Sequence, residues 1–223
     1  NLTIPYKEKG LNYCNKISPV AEKIKAVNTL KPEGKGKWNG INTDVEGLIY
    51  PLKKLNLVDK QAIILGSGGA ARSAIQGLIN LKMSKIIVIS RNQIALKSLL
   101  NDFKDENLIE GVSLNNPNIL SLINTMDLII NTTPVGMMKN PNDKEALPFG
   151  NNFWTSLNSK TIIYDLIYNP QETSLLSHCR KKGCHTINGM KMLIAQGAKS
   201  LSYWTDGLSI PIEIMEEAIK KHL

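Results

Sequence analysis

Cysteine is scarce in this chain, aromatics are few, and no apolar run is long. Only Cys14, Cys179 and Cys184 occur in 223 residues. So sparse and odd a count excludes a disulfide scaffold and suggests a reducing compartment, so a cytoplasmic location is expected. Cys179, Cys184 and His185 match no common zinc spacing, so no metal is expected. No apolar stretch approaches the ~20 residues that span a bilayer, and none reads as a signal peptide. No membrane partner is therefore expected. Internal repeats and low-complexity tracts are also missing. The net charge is +8, but the basic residues are scattered, as at Lys53-Lys54, Arg180-Lys181-Lys182 and Lys220-Lys221. Aromatics make up 5% and interleave with no basic stripe. That argues against a nucleic-acid partner and for attraction of anionic small molecules. What is present is a globular composition: 42% hydrophobic residues, enough for one large domain or two small ones. The first residue is Asn1 rather than Met, which suggests processing or truncation.

The most informative stretch runs from Gln61 to Arg72. An apolar run of strand length, Ala62-Ile63-Ile64-Leu65, enters Gly66-Ser67-Gly68-Gly69-Ala70, and a helix-forming run follows. A dinucleotide site requires that order. Gly66 permits the tight turn, Gly68 lets the backbone approach a pyrophosphate, and Ala71 takes the small position where helix and strand pack closely. The N–H groups at the helix start then face the phosphates.

The next strand, Lys85 to Ser90, says which nucleotide. An NAD enzyme commonly carries an acid about 20 residues past the glycines, on the ribose hydroxyl. Here the strand runs into Ser90-Arg91-Asn92-Gln93, without an acid. A guanidinium binds a 2′-phosphate with paired hydrogen bonds, whereas a carboxylate repels it. NADP is therefore expected, with Arg91 on the 2′-phosphate. The plainer alternative is a solvated arginine at a strand end.

From Gln61 onward strands and helices alternate. Strands are predicted over 61–65, 85–90, 127–131, 161–166 and 184–187, and helices over 71–81, 93–101 and 172–182, the last stopped by Gly183. Weaker signals of both kinds lie between 108 and 124. Such alternation implies a doubly wound, Rossmann-like parallel sheet in an α/β protein. An amphipathic helix over 45–55, capped by Thr43 or Asp44, reads as a connection between domains. Helices over 190–204 and 211–223 close the chain. In the second, Glu213, Glu216 and Glu217 precede Lys220, Lys221 and His222, as the helix dipole favours. Residues 140–144 read as a mobile polar loop.

Three polar clusters lie outside this region. Asn1-Leu2-Thr3-Ile4-Pro5-Tyr6-Lys7 alternates like a strand leading to a turn at Pro5. Ala26-Val27-Asn28-Thr29-Leu30 is a short strand carrying one amide. Gly40-Ile41-Asn42-Thr43-Asp44 is a strand end at the connecting helix. Singly, each has a plain explanation: a turn lysine, a turn asparagine, a helix cap.

Together, and followed by the glycine loop, they resemble the shikimate dehydrogenase family. The family pattern Asn-Val-Thr-Ile-Pro-His-Lys stands as Asn1–Lys7 with Leu2 and Tyr6 substituted. Ala26-Val27-Asn28-Thr29, Gly40 to Asp44 and Gly66 to Ala70 match in family order. The NADP segment Asn-Arg-Thr corresponds to Ser90-Arg91-Asn92, with the central arginine retained. Asn131 to Met137, Tyr164 to Tyr168, and Asn188-Gly189-Met190 with Met192, Leu193 and Gln196 also correspond. The resemblance runs the length of the chain.

It implies a Rossmann-like NADP domain over 44–193 and an α/β substrate domain formed by 1–43 and 194–223. It also implies reversible, NADP-dependent reduction of 3-dehydroshikimate to shikimate in chorismate and aromatic amino-acid biosynthesis. Lys7 and Asp44 would be catalytic, with Lys7 either an acid–base group or one that orients the hydroxyl and stabilises developing charge. A lysine beside a carboxylate has its cation favoured, so acid–base work needs a further influence such as burial. Thr3, Asn28, Asp44, Tyr168 and Gln196 would line the substrate pocket. Gly66, Ser67, Gly68, Gly69, Ala70, Ser90, Arg91, Asn92 and Thr132 would hold the cofactor, with Leu166, Gly189 and Met192 against the nicotinamide. Family members begin with a further βαβ-sized stretch carrying paired serines for the substrate carboxylate. That stretch precedes the lysine motif and is not in this sequence, so the substrate domain is expected to be truncated. Two alternatives follow: a quinate/shikimate dehydrogenase with relaxed cofactor use, or a non-catalytic NADP-binding module. The expected assembly is a monomer or homodimer with a small-molecule substrate.

Overall fold

The computed structural model describes residues 1–3, 5–137 and 148–221, so the loop expected at 140–144 lies outside the described residues. The chain divides into two compact units, residues 1–55 with 191–223, and residues 56–190.

The smaller unit contains a three-stranded sheet of β1 (Lys16–Ile17), β2 (Thr29–Gly34) and β3 (Lys37–Ile41), in the order β1-β3-β2. β1 runs parallel to β3, and β2 antiparallel. The β2–β3 hairpin turns at Lys35 and Gly36, whose φ values of 49° and 72° give the doubly left-handed geometry that matches strand twist. The helices are α1 (Pro19–Lys23), α2 (Asp44–Ile49), α8 (Met190–Trp204, in this unit from 191 on) and α9 (Ile212–Lys220). The Ser18 hydroxyl caps α1 by accepting from the Ala21 N–H at 3.4 Å, and Pro19 pre-sets the first helical φ.

Three expectations need correction here. No strand forms over the described part of 1–5. Leu2 N–H donates to the Asn28 carbonyl at 2.6 Å, but Tyr6 N–H already turns back onto the Thr3 carbonyl at 2.7 Å, and Pro5 has no N–H for a ladder. The helix expected over 45–55 stops at Ile49 and tightens into a 3₁₀ turn over Tyr50–Leu52. Pro51 is the reason: it lacks a donor and its ring crowds the carbonyl four residues back. The seams lie after 55 and after 190, where residues 44 and 193 had been expected to bound the larger domain. α2 stays with the smaller unit because Gly47 lets it press onto α8. A Cβ at Gly47 would come within 2.8 Å of the Gln196 Cβ and 2.9 Å of the Met192 carbonyl oxygen.

The larger unit is a six-stranded sheet of β4 (Gln61–Leu65), β5 (Lys85–Ser90), β6 (Ile109–Ser113), β7 (Leu128–Asn131), β8 (Ile162–Asp165) and β9 (His185–Ile187). Its order is β6-β5-β4-β7-β8-β9, and every pair is parallel. The connecting helices are α3 (Gly69–Asn80), α4 (Gln93–Asp102), α5 (Ile119–Thr125), α6 (Asn151–Thr155) and α7 (Ser174–Lys181). The continuous apolar runs follow from burial on both faces. On one face Ile63, Leu65, Ile87, Ile89, Ile129 and Ile163 pack with Ile123 of α5, Trp154 of α6 and Leu175, Leu176 and Cys179 of α7. On the other, Gly111 stands in register with Val88, and a Cβ there would overlap Leu100 of α4. Arg72 of α3 and Asp102 of α4 form a buried ion pair at 2.7 Å that ties those two helices together. Strand order reverses between β4 and β7, which opens a crevice at their carboxyl ends.

α3 begins at Gly69, ahead of the expected 71, because Gly68 already has extended backbone and serves as the N-cap. α7 is capped by the Thr173 hydroxyl, and Gly183 at φ 86° ends it as expected. α6 was not anticipated, since five residues are too few to show a helical period.

Candidate active site

In the smaller unit, Lys7, Asn28, Asp44 and Gln196 come together from four separate stretches. Lys7 Nζ donates to Asp44 Oδ2 at 2.7 Å, with side chains 15% and 5% exposed. Asn28 Nδ2 donates to Asp44 Oδ1 and to Thr43 Oγ1, both at 2.9 Å, and reaches Gln196 Oε1 at 3.4 Å. Asn28 Oδ1 accepts from Thr43 N–H at 2.9 Å and from the Thr29 hydroxyl at 3.0 Å. Ser200 of α8 closes the network, 2.7 Å from Thr29 Oγ1.

The capping expectation at α2 is corrected in an instructive way. The Asn42 side-chain oxygen Oδ1, rather than Thr43 or Asp44, accepts from the Asp44 and Val45 N–H groups at 3.0 and 3.2 Å. Asn42 Nδ2 in turn donates to the Ala26 carbonyl at 3.1 Å. The Asp44 carboxylate is thereby released from the cap and faces Lys7 and Asn28. The result is an amine–carboxylate couple whose remaining acceptor is held by an amide, and an ammonium only partly covered. Such a couple can orient a hydroxyl, or exchange a proton with it. Thr3 is exposed at the turn before Lys7, and Met192 is buried on α8.

In the larger unit, Gly66 adopts φ 111°, and a Cβ on it would lie 2.6 Å from Thr132 Oγ1. Gly68 is different. Its φ is −91°, open to any residue, and a Cβ there would meet nothing within 4 Å. The protein itself has no need of glycine at this position; a ligand lying over the start of α3 does. The first-turn N–H groups of α3 point out of the helix at that spot. Ser67 Oγ lies 2.9 Å from Ser90 Oγ, so the glycine loop is tied to the end of β5. Asn92 caps α4 by accepting from the Ala95 N–H at 3.0 Å, and its own N–H donates to Ser90 Oγ at 3.2 Å. Arg91, between them, is exposed and has no ion-pair partner among the described residues.

Across the crevice, Thr132 Oγ1 donates to the Leu65 carbonyl at 2.6 Å. Gly189 N–H donates to the Ile167 carbonyl at 2.9 Å, and any side chain at Gly189 would overlap the Leu166 carbonyl. Tyr168 follows, 41% exposed. Sequence reasoning missed a second polar cluster here. The fully buried Asp165 accepts from Asn131 Nδ2 at 3.0 Å, the Thr173 hydroxyl at 2.7 Å and Ile167 N–H at 3.2 Å. Burial pushes its carboxyl up to about 6, against the pull of those three donors. The available signal was an asparagine and an aspartate ending adjacent apolar strands. The Thr29, Thr43 and Ser200 hydroxyls of the smaller unit had no such signal, because the network spans the chain.

A doubly wound sheet with an open glycine at its switch point, and an arginine where NAD enzymes carry an acid, belongs to the class of NADP-linked dehydrogenases. Comparison with known proteins narrows the class. Residues 51–138 match the family model for shikimate / quinate 5-dehydrogenase, and residues 189–220 match that for the shikimate 5′-dehydrogenase C-terminal domain. The shikimate dehydrogenase (NADP(+)) of Prochlorococcus marinus subsp. pastoris is 58% identical over all 223 residues, which cover 78% of that relative. Among solved structures, Thermus thermophilus shikimate 5-dehydrogenase in complex with NADP(H) and shikimate is 30% identical with a TM-score of 0.80, covering 100% of this chain and 78% of that one. Corynebacterium glutamicum quinate dehydrogenase in complex with NAD is 26% identical with a TM-score of 0.83, covering 99% and 77%. The chain belongs to the shikimate/quinate dehydrogenase family. Among its described residues, no helix is long and apolar enough to cross a membrane.

Proposed function

We propose that this chain is an NADP-dependent dehydrogenase that interconverts shikimate and 3-dehydroshikimate, with its substrate chemistry on the smaller unit and its cofactor on the larger. The observation that carries the reading is the 2.7 Å Lys7–Asp44 couple, freed from its helix cap and buttressed by Asn28. NADP supplies hydride acceptance at carbon when bound. The chain's own residues do the rest. Lys7 faces the reacting hydroxyl and takes or returns its proton, or neutralises the charge that develops on its oxygen. Asp44 fixes the direction of Lys7 Nζ, and Asn28 fixes Asp44. On the smaller unit Asp44, Asn28 and Gln196 bond the ring hydroxyls, with Thr3 on the same unit; on the larger unit Tyr168 is assigned to the substrate.

The N–H groups at Ser67, Gly68, Gly69 and Ala70 hold the pyrophosphate, Gly66, whose own N–H donates to the Ile89 carbonyl at 2.8 Å, turns the chain beneath it, and Arg91, flanked by Ser90 and Asn92, holds the 2′-phosphate. On the larger unit Thr132, Leu166 and Gly189 shape the nicotinamide end, and on the smaller unit Met192 is assigned to the cofactor. Arg91 favours NADP over NAD, and the identities above favour shikimate over quinate. We assign the enzyme to the cytoplasm, as a monomer or homodimer with no nucleic-acid or membrane partner. The test is the nicotinamide absorbance on mixing the chain with NADP and shikimate. Reduction that requires shikimate is expected. If NADP binds but neither shikimate nor quinate is oxidised, the chain is a binding module and the enzymatic reading is lost.

A further inference from the structure

The Lys7 site accounts for one buried aspartate, while Asp165 has no place in the reading so far. It is fully buried at the carboxyl end of β8, and no cation pairs with it among the described residues. An ionised carboxylate only accepts, so it dictates the orientation of whatever bonds to it. Asp165 Oδ1 takes Asn131 Nδ2 at 3.0 Å, which forces the other end of that amide toward the loop that follows β7. There Asn131 Oδ1 accepts from the Thr133 N–H at 3.0 Å and the Thr133 hydroxyl at 2.7 Å. Thr133 Oγ1 in turn accepts from the Val135 N–H at 3.3 Å. With the amide turned round, acceptor would face acceptor at Asp165 and donor would face donor at the Thr133 N–H.

That loop carries Thr132, whose hydroxyl lies 2.6 Å from where a Gly66 Cβ would be, and Thr133, whose methyl lies 3.3 Å from the same point. The other carboxylate contacts act on the opposite side of the same edge. Oδ1 also accepts from Ile167 N–H at 3.2 Å, and Ile167 holds Gly189 by its carbonyl at 2.9 Å. Leu166, between Asp165 and Ile167, donates to the Asn131 carbonyl at 3.1 Å. Oδ2 takes the Thr173 hydroxyl, leaving a Thr173 lone pair for the Leu176 N–H and the cap of α7. The loop that carries Thr132 is thus tied to Asp165 through the Asn131 amide and Thr133, and Gly189 is tied to it through Ile167, while Leu166 is fixed by its main-chain bond to Asn131.

We infer that Asp165 is a positioning residue for the nicotinamide end of the cofactor site, acting through the Asn131 amide on the loop 131–135 and through Ile167 on Gly189. The inference rests on the reading that this sheet edge holds NADP. Asp165 touches no cofactor atom in this account; it acts on the groups that do. A buried unpaired charge is a costly device for this task, and an acceptor-only group is what makes the amide orientation unique.

The experiment compares two probes on the same chain: NADPH, and 2′-phospho-ADP-ribose, which lacks the nicotinamide. Asp165→Ala is expected to weaken NADPH binding about tenfold, the worth of one or two buried hydrogen bonds, and to leave the truncated probe within about twofold. Asp165→Asn can keep its oxygen on Asn131 and Ile167 while donating to Thr173, so it is expected to recover most of the NADPH affinity. Should Asp165→Ala fail to fold, Thr133→Val removes only the last hydroxyl of the relay and is expected to give the same selective loss at about threefold. Equal losses for both probes, or no loss for either, overturn the positioning role. A parent chain that binds neither probe overturns the NADP reading beneath it, a result that needs no variant.

Discussion

Each unit contains a buried aspartate bonded to an asparagine amide, and the two are used in opposite ways. Asp44 takes Asn28 on one oxygen and the Lys7 ammonium on the other. Asp165 takes Asn131, Thr173 and a backbone N–H, and no cation among the described residues. The first couple reaches the surface through Lys7, so its charge is available to a ligand. The second is sealed, with a carboxyl raised by desolvation. Burial depth alone does not distinguish chemistry from scaffolding. What does is whether the partner is a cation that stays partly open to solvent or a set of buried donors.

The sharpest way to break this comparison is Lys7→Ala. Turnover of shikimate is expected to fall by roughly 10²–10⁴ while the NADP dissociation constant barely moves. Steady-state rates alongside fluorescence titration of NADPH check it, and unchanged turnover would remove Lys7 from the mechanism. Next comes Arg91→Asp, which exchanges an attraction for a repulsion. The KM for NADP should rise about a hundredfold and that for NAD far less. Parallel changes in both would mean the arginine is only solvated.

Gly68→Ala sharpens the cofactor reading from another direction. The fold has room for the methyl, so the unfolding midpoint in urea should stay put or rise slightly. NADP affinity should drop about tenfold, because the methyl enters the space over the helix start. Lost stability with intact binding would show that the glycine serves the protein instead.

The smallest effect concerns pH. The folded-state carboxyl of Asp165, at about 6, lies above its ordinary 3.8. The native state therefore binds the extra proton between those values, and this group's contribution to stability declines as pH rises through that window. The titratable group that senses its charge is the Cys179 thiol of α7, which burial pushes up to about 12 and keeps neutral. Relative to the parent chain, Asp165→Asn should gain a few degrees in Tm as pH rises from about 4 to about 6, then level off. A flat difference between the two melting curves would show that the carboxylate carries no unpaired charge.

Much of the larger unit was legible because its signals are local. The strand–glycine–helix order at 61–80 and the helix stop at Gly183 depend on neighbours within a turn or two, as does the full span of α8 in the smaller unit. Lys7, Asn28, Asp44 and Gln196 were legible through motif order. The strand expected at 1–5 was not realised, since alternation over so few residues cannot outweigh Pro5 and the turn at Tyr6. Helix α2 was overextended because its apolar period continues through Pro51, where the backbone cannot. The second aspartate cluster was passed over, since Asn131 and Asp165 read simply as polar ends of two apolar strands until the sheet set those strands side by side.

By itself, the sequence determined where strands and helices alternate, the open turn at Gly66–Gly68 and the charge at Arg91, because backbone conformation, side-chain volume and charge are properties of single residues and their neighbours. Only the tertiary structure decided that Asn42 would cap α2 and leave Asp44 to Lys7, and that Asp165 would be buried among Asn131, Thr173 and the Ile167 N–H. Those outcomes depend on which donors the fold brings within hydrogen-bond reach, and the donors come from segments far apart in the chain.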